Sequence, residues 1–245
     1  APKKYWDLYE RVDISKPVSN SHPKRAPEYA TRTWHELEGY TDIPENLTEL
    51  TSEQIQELRH GYYACISYVD ALIGRLLDGL KELNLTDNTI ICLWGDHGFH
   101  LGEQGLWTKA NNYELAARVP LILSVPGQSN QGATTNAFVE LVDIYPTLAE
   151  LCGLAVPKHV QGKTLATVLA DPEQTVHQEV YCTNKKGHLL RTARWAYMSW
   201  RDNTAELYDM LKDPRQFTNL AEQKQYATVV AELSRRLRDK LETIK

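Results

Sequence analysis

The stretch that most limits what this chain can fold into is Thr89 to Lys109, TIICLWGDHGFHLGEQGLWTK. Ile90 to Trp94 is apolar and partly β-branched, which predicts a buried strand. The run breaks at once into Gly95, Asp96, His97 and Gly98, and a loop with Gly102 and Gly105 leads on to Lys109. In open α/β sheets ligands gather just beyond the carboxyl ends of strands. An adjacent carboxylate and imidazole there, with glycines letting the backbone pass close by, have the chemistry of a metal-ligand pair. A β-turn in which Asp96 bonds its own backbone and His97 faces solvent accounts for the same residues. Both readings stand on this stretch alone.

Upstream, Thr51 and Gln54 have the spacing of a capping box, and they open the strongest helical pattern in the chain. Ile55, Leu58, Tyr62, Cys65, Val69, Leu72, Leu76, Leu80 and Leu83 step by threes and fours, the stripe of a helix facing a core. Asp70 lies between stripe positions and reads as part of the polar face. Residues 1 to 50 are loop-like, broken by Pro2, Pro17, Pro23, Pro27 and Pro44. Tyr5, Trp6, Tyr9, Tyr29, Trp34 and Tyr40 are scattered through them. A loop of that length is uncommon inside a compact domain, and its aromatics either pin it to a core or stack on a sugar.

Downstream, Val119 to Val125 reads as a second buried strand and Asp143 to Leu151 as a helix stopped by Gly153 and Pro157. Strand, loop, strand and helix in that order fit an α/β sheet covered by helices. After about residue 160 the pattern changes. Glu179–Thr183, His188–Thr192 and Trp195–Trp200 predict short antiparallel strands. Tyr226, Val230, Leu233, Leu237, Leu241 and Ile244 then form the stripe of a final amphipathic helix. The expected division is an α/β core over 1–160, with 1–50 loop-rich, and a small α+β subdomain over 161–245.

With a net charge of −5 and interspersed signs, the chain lacks the basic face of a nucleic-acid binder. No apolar run approaches the roughly 20 residues of a membrane span. Cys65, Cys92, Cys152 and Cys182 are far apart with no CxxC pair, so buried thiols are expected rather than a zinc knuckle or a disulfide framework. Asn46 and Asn84 each begin an NLT glycosylation sequon.

Taken together, WGDHGFHLGEQGLWTKANNYELAARVPLILSVPG (94–127), VDIYPTLAELC (142–152), RTARWAY (191–197) and ELYDMLKDPRQFTNL (206–220) resemble the C-terminal half of sulfatases. They are most similar to the iduronate-2-sulfatase-like branch of the alkaline phosphatase superfamily, and the helical SYVDALIGRLLDGL also matches. The resemblance implies an α/β/α sandwich followed by a small subdomain with an antiparallel sheet. It makes Asp96 a calcium ligand, with His97 at the next position binding the metal, the sulfate, or both in turn. Asp96 suits calcium because that hard ion prefers oxygen. Lys109 matches the lysine that contacts a sulfate oxygen, a role suited to a compact ammonium. Glu103 and Trp107 also match; Glu103 braces the loop on this reading, and Trp107 packs beneath Lys109 or borders a sugar pocket. His100 departs from the pattern and is expected at the substrate mouth.

Sulfatases of this kind use a formylglycine made from the first residue of a C/S-x-P-S/A-R motif, and none of the cysteines or serines here sits in that motif. The paired aspartates that complete the calcium site and the H-x-P-H segment are absent as well. The chain is therefore expected to be the C-terminal part of a sulfatase, inactive alone, with its N-terminal half and a sulfated carbohydrate as partners. A truncated sheet should leave apolar faces exposed. The resemblance implies a periplasmic, extracellular or lysosomal enzyme acting on sulfated uronic acids or polysaccharides. A phosphodiesterase or phosphonate hydrolase of the same superfamily, and a non-catalytic binding module, are the alternatives.

Overall fold

The computed structural model describes residues 1–32 and 36–244, so Trp34 lies outside the described residues. The helices are α1 (Lys3–Trp6), α2 (Glu28–Thr31), α3 (Ser52–Glu82), α4 (Glu114–Ala117), α5 (Ile144–Leu151), α6 (Ala166–Ala170) and α7 (Ala227–Thr243). The strands are β1 (Ile91–Trp94), β2 (His100–Leu101), β3 (Trp107–Thr108), β4 (Leu121–Ser124), β5 (Glu179–Asn184), β6 (Gly187–Thr192), β7 (Trp195–Trp200) and β8 (Ala205–Asp209).

Helix α3 begins where the sequence says it should. The Thr51 hydroxyl accepts from the Gln54 amide and the Gln54 side chain accepts from the Thr51 amide, closing the capping box. Its N-terminal half is docked through Arg59, His60 and Ala64, none of them on the predicted stripe, whose Ile55, Leu58 and Tyr62 are only partly buried. The C-terminal half is not. Val69, Leu76 and Leu83, all on the predicted core stripe, are exposed, Leu76 by 71%.

The strands around Asp96 tell the same story. β1 and β4 pair antiparallel, Ile91 opposite Ser124 and Trp94 opposite Leu121, and no third strand joins them among the described residues. Both were expected to be buried, but Trp94 and Ile122 are about half exposed. A strand pair needs sheet neighbours or helices on its faces before its side chains leave water, and this chain supplies too few. The thiols differ from expectation as well: Cys65 and Cys152 are exposed, Cys92 and Cys182 partly so, and all four are free.

The packed part of the molecule is the four-stranded antiparallel sheet β5-β6-β7-β8. The three expected strands are present, and β8 adds a fourth. Side chains alternate faces along each strand. Leu190, Tyr197 and Leu207 point one way and bury against Leu233 and Leu237 of α7. Leu189, Met198, Trp200 and Tyr208 point the other way and pack on Leu106, Tyr113 and Ala30. One core thus joins residues on both sides of position 160. The loop between β1 and β4 is seated directly on the sheet.

Among the described residues no helix is long and apolar enough to cross a membrane.

Candidate active-site loop

Asp96 and His97 lie where the sequence places them, immediately after β1. The Asp96 side chain is 84% exposed. One carboxylate oxygen accepts only from the His97 amide at 3.0 Å, and the other lies 3.6 Å from His97 Nε2. The His97 Nδ1 faces the Gly98 carbonyl at 2.9 Å. The result is a carboxylate with lone pairs to spare and an imidazole with Nε2 turned toward it.

Gly98 explains how so open a pair is held. Its amide donates to Ala116 O at 2.9 Å. A Cβ at Gly98 would sit 1.8 Å from Leu115 O, inside a backbone atom. Only glycine lets the segment after His97 lie against α4.

Beyond Gly98 the chain makes a short hairpin, with His100 opposite Thr108 and Leu101 opposite Trp107. That register brings the chain back beside His100 and Leu101 and places Lys109 one residue past the last pair. Thr108 and Ala110, on either side of Lys109, both have φ in the left-handed region, 63° and 71°. For a β-branched threonine that conformation is strained, and strain of this kind collects at functional sites. Lys109 Nζ bonds Glu36 Oε1 at 2.7 Å, with both side chains partly exposed.

The hairpin is fastened from beneath. Arg59 of α3, buried, donates from Nη1 to Leu101 O at 2.8 Å and to Glu103 Oε1 at 2.6 Å. The Leu101 amide donates to Glu103 Oε2 at 2.7 Å. Burial alone would raise the Glu103 carboxyl, but these donors outweigh it and hold it below its usual range. Glu103 therefore ties the loop to α3.

Two residues expected near a substrate are enclosed. His100 has no exposed surface. Its Nδ1 faces Glu103 O at 3.2 Å and its Nε2 faces Asn111 Oδ1 at 3.1 Å, an oxygen that also accepts from the Tyr113 amide. Burial depresses its pKa, favouring the neutral ring. The hairpin register turns His100 inward, so it cannot stand at a substrate mouth formed by this chain. Trp107 is 7% exposed and lies against Gly102.

Sequence reading missed the carboxylate beneath the loop. Glu206 of β8 is fully buried and accepts from Tyr113 Oη at 2.9 Å, Trp200 Nε1 at 2.9 Å and Tyr208 Oη at 2.5 Å. Desolvation pushes its pKa up to about 7 against these three donors, and it carries the Tyr113 hydroxyl far above its usual range too. Tyr113 thus fastens the segment after Lys109 to the C-terminal sheet.

A second cluster has metal-ligand composition: Glu140, Asp143 and His177, whose ligand atoms lie within 4.8 Å of one another. Its carboxylates already accept from the fold itself. Asp143 accepts from the amides of Lys163 and Glu140 and from His177 Nε2, each at 2.8 Å. Glu140 accepts from the Tyr181 amide at 2.7 Å and completes a reciprocal cap with Asp143. This cluster staples the start of α5 to the approach to β5.

The Sulfatase family model matches residues 15–154, and a model for the C-terminal region of N-sulphoglucosamine sulphohydrolase matches residues 102–243. A sulfatase of Formosa agariphila is 32% identical over 222 residues, 90% of this chain and 43% of that protein. The iduronate 2-sulfatase of Mus musculus is 33% identical over 185 residues, 64% of this chain and 34% of that protein. The phosphonate monoester hydrolase of Silicibacter pomeroyi superposes with a TM-score of 0.80 at 25% identity, covering 99% of this chain and 53% of that one. The fold is thus the α/β fold of alkaline-phosphatase-like enzymes. The chain spans less than half the length of the Formosa agariphila and Mus musculus sulfatases, and what it matches is a C-terminal portion of a sulfatase.

Proposed function

Because this chain belongs to the sulfatase family, we propose that the protein it forms part of hydrolyses sulfate esters at the loop following β1. The observation that supports this most is the contrast around Asp96: an exposed carboxylate with unused lone pairs, followed by a glycine that cannot be replaced without collision. Asp96 and His97 fit a calcium site in part. Asp96 supplies a hard oxygen, while the six to eight ligands calcium takes require more donors than this loop offers. Bound there, calcium would hold and polarise the sulfate oxygens.

This chain's own contributions are specific. Asp96 and His97 provide one side of the metal site. Lys109, which follows the hairpin, donates N–H to a sulfate oxygen on this reading and stabilises charge that grows as the ester bond breaks. Arg59, Glu103 and Tyr113 hold the loop so that these groups stay in register. The nucleophile comes from elsewhere, since no C/S-x-P-S/A-R motif occurs in the 245 residues. On this reading the chain alone turns nothing over. The N-terminal part of the same protein carries the formylglycine and the remaining metal ligands, and it covers the open faces of α3, β1 and β4. Sulfated uronic acids or polysaccharides are the proposed substrates, supported by the similarity to iduronate 2-sulfatase. A periplasmic, extracellular or lysosomal site of action follows from the same reading.

Assay of the full-length protein with an aryl sulfate and calcium tests it. Turnover that disappears in Lys109→Ala and on chelation is expected; full activity in that variant would contradict the assignment. A second reading, hydrolysis of phosphonate monoesters or phosphodiesters, draws on the 0.80 TM-score to such an enzyme. A preference for those esters over sulfates would favour it. A full-length chain with no turnover of either would be a binding module.

A further inference from the structure

The Lys109 ammonium does not stand alone. Glu36 Oε1 accepts from it at 2.7 Å, and the Tyr40 hydroxyl reaches the same oxygen at 3.5 Å. Glu36 comes from the long N-terminal loop, 73 residues away in sequence. Lys109 is flanked by two residues in the left-handed region, Thr108 and Ala110. An anion reaching the ammonium in this arrangement meets it with Glu36 beside it. An ammonium has three N–H donors. Glu36 takes one and leaves two, and it places a fixed negative charge within a few ångströms of whatever oxygen accepts from the others.

We propose that Glu36 is a specificity-determining residue of this site, admitting singly charged esters such as sulfate monoesters, phosphonate monoesters and phosphodiesters while disfavouring doubly charged phosphate monoesters. The inference rests on Lys109 being the anion contact proposed above. Repulsion from a fixed carboxylate scales with the charge of the ligand, so a dianion suffers twice the penalty of a monoanion in the same place. With both side chains partly in water, the extra unit of charge amounts to about a tenfold difference in affinity.

The test is binding to the full-length protein at pH 8, measured by calorimetry. Inorganic phosphate serves as the largely dianionic probe and dimethyl phosphate as the monoanion. Lys109→Ala should weaken both. Glu36→Gln should tighten phosphate about tenfold more than dimethyl phosphate, and Glu36→Asp should restore the original ratio. An unchanged ratio in Glu36→Gln, with Lys109→Ala still weakening both probes, would overturn the inference while leaving Lys109 in its role. Unaltered binding in Lys109→Ala would overturn it with its premise. Because the readout is affinity, a protein that binds both probes yet cleaves no sulfate ester would refute the proposed reaction without touching this result. Turnover of 4-nitrophenyl phosphate relative to 4-nitrophenyl sulfate should move in the same direction in Glu36→Gln, chiefly through KM.

Discussion

Asp96–His97 and Glu140–Asp143–His177 are built from the same ligand chemistry and stand in opposite states. In the second, two amides and His177 take three of the roughly four lone pairs of the Asp143 carboxylate, and the residue has no exposed surface. In the first, Asp96 accepts one amide and turns the rest of its carboxylate to solvent. Proximity of ligand atoms picks out the buried cluster; hydrogen-bond accounting picks out the open pair. A buried carboxylate must be satisfied by the fold itself, so saturation marks an architectural part. A carboxylate left unsaturated, on a loop that only glycine can make, is available to something the chain does not contain.

Substitutions at the two aspartates sharpen this contrast most. In the full-length protein Asp96→Asn should lower sulfate ester turnover about a thousandfold or more, the several kcal/mol expected of a lost metal contact, with little change in urea midpoint. Asp143→Ala should do the reverse. It strands three buried donors and should cost about 3–5 kcal/mol in stability by urea titration, while folded material keeps its kcat. If Asp143→Ala folds normally and loses activity, the comparison breaks.

Glu206 provides a second saturated carboxylate, and pH exposes it. Its folded pKa is raised to about 7 from 4.5, so between those values the folded state holds a proton that the unfolded state has released. Stability from this group is therefore greatest below pH 4.5, falls as pH rises toward 7, and is flat above. The loss amounts to about 3 kcal/mol, read as the difference between wild type and Glu206→Gln in urea titrations from pH 4.5 to 8. A flat difference would mean that the carboxylate is not held as described. Thr51→Ala, remote from all of these clusters, should cost about 1 kcal/mol through the lost α3 cap and leave turnover alone.

What the sequence could tell follows the range of the interactions involved. The α3 cap was legible because Thr51 and Gln54 are three residues apart, and β5 to β7 because alternation is local. Asp96 was legible as a strand-end carboxylate, and Gly98 as a glycine, although its partner Leu115 was not. His100 could not be placed, since its burial depends on pairing with Thr108 across the hairpin. β8 went unseen because its inward position 206 is a glutamate, satisfied only by Tyr113, Trp200 and Tyr208 from other segments. The apolar stripe of α3 repeats with helical spacing as expected, but none of its residues is buried among the described residues, and the helix docks instead through Arg59, His60 and Ala64. Nothing local to the helix reveals that.

The most direct measurement is calcium titration of the full-length protein by calorimetry, with wild type, Asp96→Asn and Asp143→Asn side by side. Asp143→Asn should bind calcium as wild type does, and Asp96→Asn should bind it at least a hundredfold more weakly. Retained binding in Asp96→Asn with loss in Asp143→Asn would place the metal at Glu140, Asp143 and His177 and contradict the assignment of Asp96.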